Sequence, residues 1–142
     1  MSANVTTTTT PATTSIVHAV YGVEIVNACK HALTFGNPEN PKDDAGIVMV
    51  PPCGIVMNAE LKQEPAGKKG GAEIGKMSIW QDPASTAALE AIEKEHPDAI
   101  IVGSMIAAQA YPGRVFAMVP LPGFEREASD KKRMNPRKFT VY

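Results

Sequence analysis

The sequence predicts an α/β mixed domain, α+β in the looser sense: a strand-rich first half followed by a strand-helix-strand unit. Three observations point there. Runs rich in β-branched and aromatic residues, punctuated by glycine, proline and asparagine, fill residues 16–80. Between Asp82 and His96 the apolar positions switch to spacings of three and four, the period of a helix. Ala99 to Val102 is then a wholly apolar run of the kind found in mid-sheet. A chain of 142 residues that is 44% hydrophobic suits one core. We expect a single globular domain over 16–124, flanked by an extended Thr-rich arm over 1–15 and a basic tail over 125–142.

The arm holds Thr6, Thr7, Thr8, Thr9 and Thr10, no charged side chain and almost nothing apolar, so it should lie outside the core. Its threonines favour extended backbone, which can add to the sheet edge of another chain. Ile16 to Asn27 reads as one or two strands kinked at Gly22. After a polar turn at Cys29 to His31, Ala32 to Phe35 reads as the returning strand of a hairpin. Gly36 to Gly46, with its Asn-Pro pairs and two aspartates, is a surface loop. Ile47 to Val50 and Ile55 to Leu61 are strand-like, joined by a turn at Pro51-Pro52-Cys53-Gly54, where proline fixes φ and glycine permits positive φ.

Lys68 to Gly71 is a flexible tip and Glu73 to Trp80 a further strand. Asp82 as N-cap, Pro83 at the first helical position and the stripe of Ala88, Leu89 and Ile92 predict a helix from Pro83 to Glu95. His96-Pro97-Asp98 stops it, since proline cannot continue a helix. Ser104 to Ala110 is a second short helix, ended by Tyr111-Pro112-Gly113, and Val115 to Val119 a last strand. From Glu125 onward lie six of the 14 basic residues, a segment suited to solubility or to contact with an acidic partner.

A formal net charge of -1 gives no global pull toward nucleic acid or membrane surfaces. No apolar run approaches the roughly 18 residues needed to span a bilayer. We therefore expect a soluble chain without a secretion signal, with no membrane partner and no sequence-specific nucleic acid. Two cysteines are too few for a disulfide framework and fit a reducing cytosol.

Motifs for catalysis are missing: there is no Gly-x-Ser-x-Gly, no Gly-x-Gly-x-x-Gly and no lysine-bearing phosphate loop. We expect no catalytic set, no cofactor and no metal. Cys29 and His31, two residues apart, with Cys53 are the nearest approach to a metal or thiol centre, and they read instead as a buried thiol beside a turn histidine. One stretch could take a ligand. Val102-Gly103-Ser104 runs from an apolar strand into a helix N-terminus, where free N–H groups favour an anion. Arg114 would clamp its phosphate and Trp80 stack a base, so Gly103, Ser104, Arg114 and Trp80 form the candidate ligand site. Candidate partner contacts are Thr6 to Thr10 in the arm and Lys131, Lys132 and Arg133 in the tail.

Three stretches resemble a group of small bacteriophage proteins that begin with an Ile-Val-Asn-Leu-Thr-Pro-His motif. Ile25-Val26-Asn27-Ala28-Cys29-Lys30-His31 keeps the asparagine and histidine and replaces Leu-Thr-Pro. Pro51-Pro52-Cys53-Gly54 is similar to the group's Pro-Pro-Ser-Gly turn. Ile100 to Ala110, followed by Arg114 and Val119-Pro120, is similar to its Tyr-Ile-Val-Ser-x-x-Val-Ala-x-Ala segment. The match touches about a sixth of the chain and implies a phage origin. The expectation is a non-enzymatic bacteriophage structural or interaction protein, a virion accessory of the capsid-decorating type. It would contact other phage structural proteins or itself as a homo-oligomer, being made in the host cytoplasm and carried in the virion. The alternative is a small-molecule binder, a phage protein that sequesters a host nucleotide signal.

Overall fold

Val17–Val20 (β1) and Val23–Asn27 (β2) pair as an antiparallel hairpin closed by Tyr21 and Gly22. Both turn residues have positive φ, 48° and 84°, the two-residue geometry whose twist matches that of paired strands. Tyr21 holds this strained conformation with its hydroxyl donating to Gly46 O at 2.6 Å. The computed structural model describes residues 16–142, so the threonine arm, with Thr6 to Thr10, lies outside the described residues.

Leu33–Phe35 (β3) does not return along β2 as a hairpin. It pairs antiparallel with Val48–Val50 (β4) and parallel with the last strand of the chain. The turn after Asn27 redirects it, because the Asn27 amide holds His31 O and Val50 O together. The loop before β4 carries a 3-10 turn at Asp44–Gly46, capped by Asp43. Two prolines remove ladder donors at 51 and 52, and the strand expected from Ile55 begins only at Ala59.

Ala59–Lys69 (β5) and Ala72–Gln81 (β6) form a long two-stranded hairpin on their own. The helix Pro83–Glu95 (α1) has the predicted limits and N-cap. Asp82 Oδ2 accepts from Ser85 N at 3.1 Å and from Ser85 Oγ at 2.9 Å. Ile100–Val102 (β7) lies parallel to β2, and Met105–Ala110 (α2) leads to Phe116, which bridges Val102 in parallel, and then to Ala117–Pro120 (β8). The strand-helix-strand unit thus runs β7-α2-Phe116, while α1 links strands of different sheets.

Met134–Thr140 (β9) lies between β3 and β8, in a sheet ordered β4-β3-β9-β8. This corrects the reading of 125–142 as a tail outside the domain. Pro136 is fully buried and the Phe139 ring centroid lies 6.4 Å from that of Phe35. The basic composition disguises a strand whose apolar residues, Met134, Pro136 and Phe139, face the interior at irregular spacing; its register against β8 shifts between Met134 and Phe139.

The second sheet, β1-β2-β7, joins the first through the Phe116 bridge. In β2 the neighbours Ile25 and Val26 point to opposite faces and are both fully buried. They divide two cores. Val26, Leu89, Ile92, Ile101, Tyr111 and Val115 pack under the helices. Val20, Ile25, Leu33, Phe35, Val50 and Val102 pack between the sheets. The architecture is α+β, with strands dominating. Among the described residues no helix is long and apolar enough to cross a membrane.

Candidate functional site

Gly103 is required by packing: a Cβ there would meet Val115 Cγ1 at 2.6 Å and Ala107 Cβ at 3.2 Å. Ser104 caps α2 itself, its Oγ accepting from Ala107 N at 3.1 Å. With α2 only six residues long, little dipole accumulates for an anion. Arg114 grips Glu93 of α1 as a fork, Nε to Oε2 at 3.1 Å and Nη2 to Oε1 at 2.6 Å. That hydrogen bond raises its pKa further, the adjacent carboxylates adding to the effect. Trp80 stands half-exposed on the β5–β6 hairpin, with Lys62 Nζ 4.6 Å from its ring centroid and its indole N–H donating to Ser78 Oγ at 3.3 Å. The structure does not assemble Gly103, Ser104, Arg114 and Trp80 into one site. The clamp is already neutralised by a carboxylate, and the ring already carries a cation.

Ser104 does meet Cys29 and His31, around a cavity of about 350 Å³ that Met57, Asn58 and Ile106 also line. Fully buried Asn27 builds this turn. Its Nδ2 donates to His31 O at 2.8 Å and Val50 O at 3.0 Å, and its Oδ1 accepts from Cys29 N at 2.9 Å. Cys53 N donates to Asn27 O at 2.9 Å, which ties in the 51–54 turn. Burial, and then Cys53, push the Cys29 thiol above its ordinary value, the opposite of what an activated nucleophile needs. Among the described residues no group of three His, Cys, Asp or Glu could hold a metal ion, so Cys29, His31 and Cys53 do not form a ligand set.

Of the three basic contact candidates, Lys131 is exposed, Lys132 is half-buried and Arg133 turns inward. Arg133 Nη1 donates to Pro41 O at 2.8 Å, Nη2 pairs with Asp44, and the guanidinium lies 4.9 Å from the Phe124 ring centroid. Its work is to pin the 36–46 loop to the strand entry of β9. It is not a free partner contact.

The hairpin is the feature with no internal use. From Glu60 to Met77 every residue is exposed, and only the base touches the body, where Ala59 and Ile79 pack on the helical core and Gln81 Nε2 donates to Ala110 O at 2.8 Å. Cross-strand pairing puts Leu61 with Ile79, Gln63 with Met77 and Pro65 with Gly75 on one face. Glu60 with Trp80, Lys62 with Ser78 and Glu64 with Lys76 share the other. Gly70 and Gly71, with φ of 58° and 85°, close the tip. A lone two-stranded hairpin is marginally stable in water; a third strand or a packed face is what normally holds one. This hairpin leaves Leu61, Ile74, Met77 and Trp80 at 43 to 56% exposure.

The sequence reading found the second strand, as Glu73 to Trp80, but placed the first at Ile55 to Leu61 where it runs Ala59–Lys69, put Lys68 and Lys69 in the tip, and missed that the hairpin leaves the body. A signal was present: after Ala59, Leu61 is the only large apolar residue in β5, too few to face a core. Compared with known protein families, with curated proteins and with solved structures, the chain matches none.

Proposed function

We propose that this chain is a non-enzymatic assembly protein of a bacteriophage particle, a virion accessory of the capsid-decorating type, whose main contact is the β5–β6 hairpin. The observation that carries the reading is a hairpin of 11- and 10-residue strands exposed on both faces beyond its base. Such a projection exposes apolar side chains and unpaired strand edge, and both are normally covered in a functional assembly. The phage origin rests on the resemblance at Ile25 to His31, Pro51 to Gly54, and Ile100 to Ala110 with Arg114 and Val119-Pro120. In this reading Thr6 to Thr10, Lys131 and Lys132 are secondary contacts.

The test is a chain in which residues 62–78 are replaced by a short turn, supplied with a tag in trans during infection. Wild-type chain should co-purify with particles. The excised chain should not, while keeping its circular dichroism spectrum and cooperative melt. Undiminished incorporation of the excised chain would sink the reading.

A further inference from the structure

The two outer edges of the hairpin are built differently. Along β5 lie Pro65, which has no ladder donor, a register shift between Pro65 and Lys68, and the lysines Lys62, Lys68 and Lys69. Proline, bulges and lysine are the devices by which proteins blunt an exposed edge. Along β6 there is no proline, and the one lysine is Lys76. One edge is guarded and the other is open.

We propose that a second copy of this chain docks on the open edge, β6 against β6 antiparallel about a two-fold axis at Met77, giving a four-stranded sheet shared by two subunits. This rests on the reading of the hairpin as the assembly contact. Two-fold symmetry keeps like faces on the same side of the shared sheet, so a residue must face its own copy across the axis. The middle of the ten-residue strand falls at Lys76 and Met77. Centring on Lys76 sets two like charges directly opposite, which is destabilising. Centring on Met77 sets Ile74 opposite the partner's Trp80, Lys76 opposite the partner's Ser78 and Glu73 opposite the partner's Gln81. No like charges meet directly. The three large apolar side chains that β6 leaves open, Ile74, Met77 and Trp80 at 43, 56 and 49% exposure, each gain a cross-strand neighbour. Four strands also supply what a two-stranded ribbon lacks for independent stability.

Light scattering on the full chain over a dilution series should give twice 15.1 kDa. Met77→Lys sets two ammonium groups opposite each other and should give a monomer with an unchanged melt. Met77→Cys should form a disulfide-linked dimer on mild oxidation, because directly opposed residues lie about 4.5–5.5 Å apart at Cα, within the usual disulfide range. Ile74→Cys alone should not cross-link to itself; mixed with Trp80→Cys it should give the linked heterodimer. Wild type, with only Cys29 and Cys53, is the control. A monomeric wild type would overturn the proposal, as would a dimer that survives Met77→Lys and stays unlinked in Met77→Cys. Loss of the dimer on deleting residues 1–15 alone, with no Met77→Cys link, would assign the contact to the arm and overturn it too. If the chain is monomeric but hairpin excision still blocks incorporation, the assembly reading stands and only the self-pairing fails.

Discussion

Asn27 shows how much one buried amide can organise. Both its N–H groups and its carbonyl oxygen are used, and they hold three backbone groups from one turn and a strand end. Asn27→Ala leaves the Val50 carbonyl and the Cys29 N–H to find new partners in a closed interior. The expected loss is roughly 2–3 kcal/mol of stability, read from urea denaturation. Its role is structural: it shapes the turn that carries Cys29 and His31. Cys29 itself yields a pH prediction. Its folded pKa is raised from the ordinary 9.0 by burial and by Cys53, so above that pH the unfolded chain ionises first. Stability should fall as pH rises through the window between the two values. In Cys29→Ala that part of the alkaline decline should vanish, as seen by comparing denaturation midpoints at neutral and alkaline pH.

At the scale of elements, α1 and the hairpin are opposites. Asp82 and Pro83 fix the start of α1, Leu89 and Ile92 bury its apolar stripe, and the hydroxyl of buried Tyr111 meets Thr86 Oγ1 at 2.9 Å. Its limits could be read in full, because capping and periodicity are local. The hairpin has almost no stake in either core, so the 62–78 excision that tests assembly should move the melting temperature by only a few degrees. A collapse of the body on excision would show that the hairpin braces the fold. Its second strand was legible for the same local reason as α1, while the first, polar beyond Leu61, carried no apolar pattern to mark its course to Lys69. The hairpin's isolation was not legible either, since pairing partners and exposure are set by the rest of the chain. The ligand site failed similarly: Arg114 reads as a free cation until Glu93, 21 residues earlier, is seen beside it.

For the whole molecule, the place of β9 is the decisive feature. It inserts between β3 and β8, so the sheet of the second core unites segments that lie far apart in sequence. Sequence alone hid this because composition over 125–142 is basic and polar, while the strand's contribution lies in three side chains and a row of backbone hydrogen bonds. Leu121 N donates to Arg133 O at 2.8 Å and Gly36 N to Met134 O at 3.1 Å, fastening the segment on both sides. Ending the chain at Asp130 removes Arg133, Pro136 and Phe139 together, exposes the edges of β3 and β8, and opens Phe35 to water. A detachable tail could be cut with little effect on the melt. Here the shortened chain should lose its cooperative thermal transition and bind a hydrophobic dye, whereas Lys131→Ala with Lys132→Ala should melt within about 0.5 kcal/mol of wild type. A truncated chain that still melts cooperatively would mean that β3 and β8 hold the second core without β9.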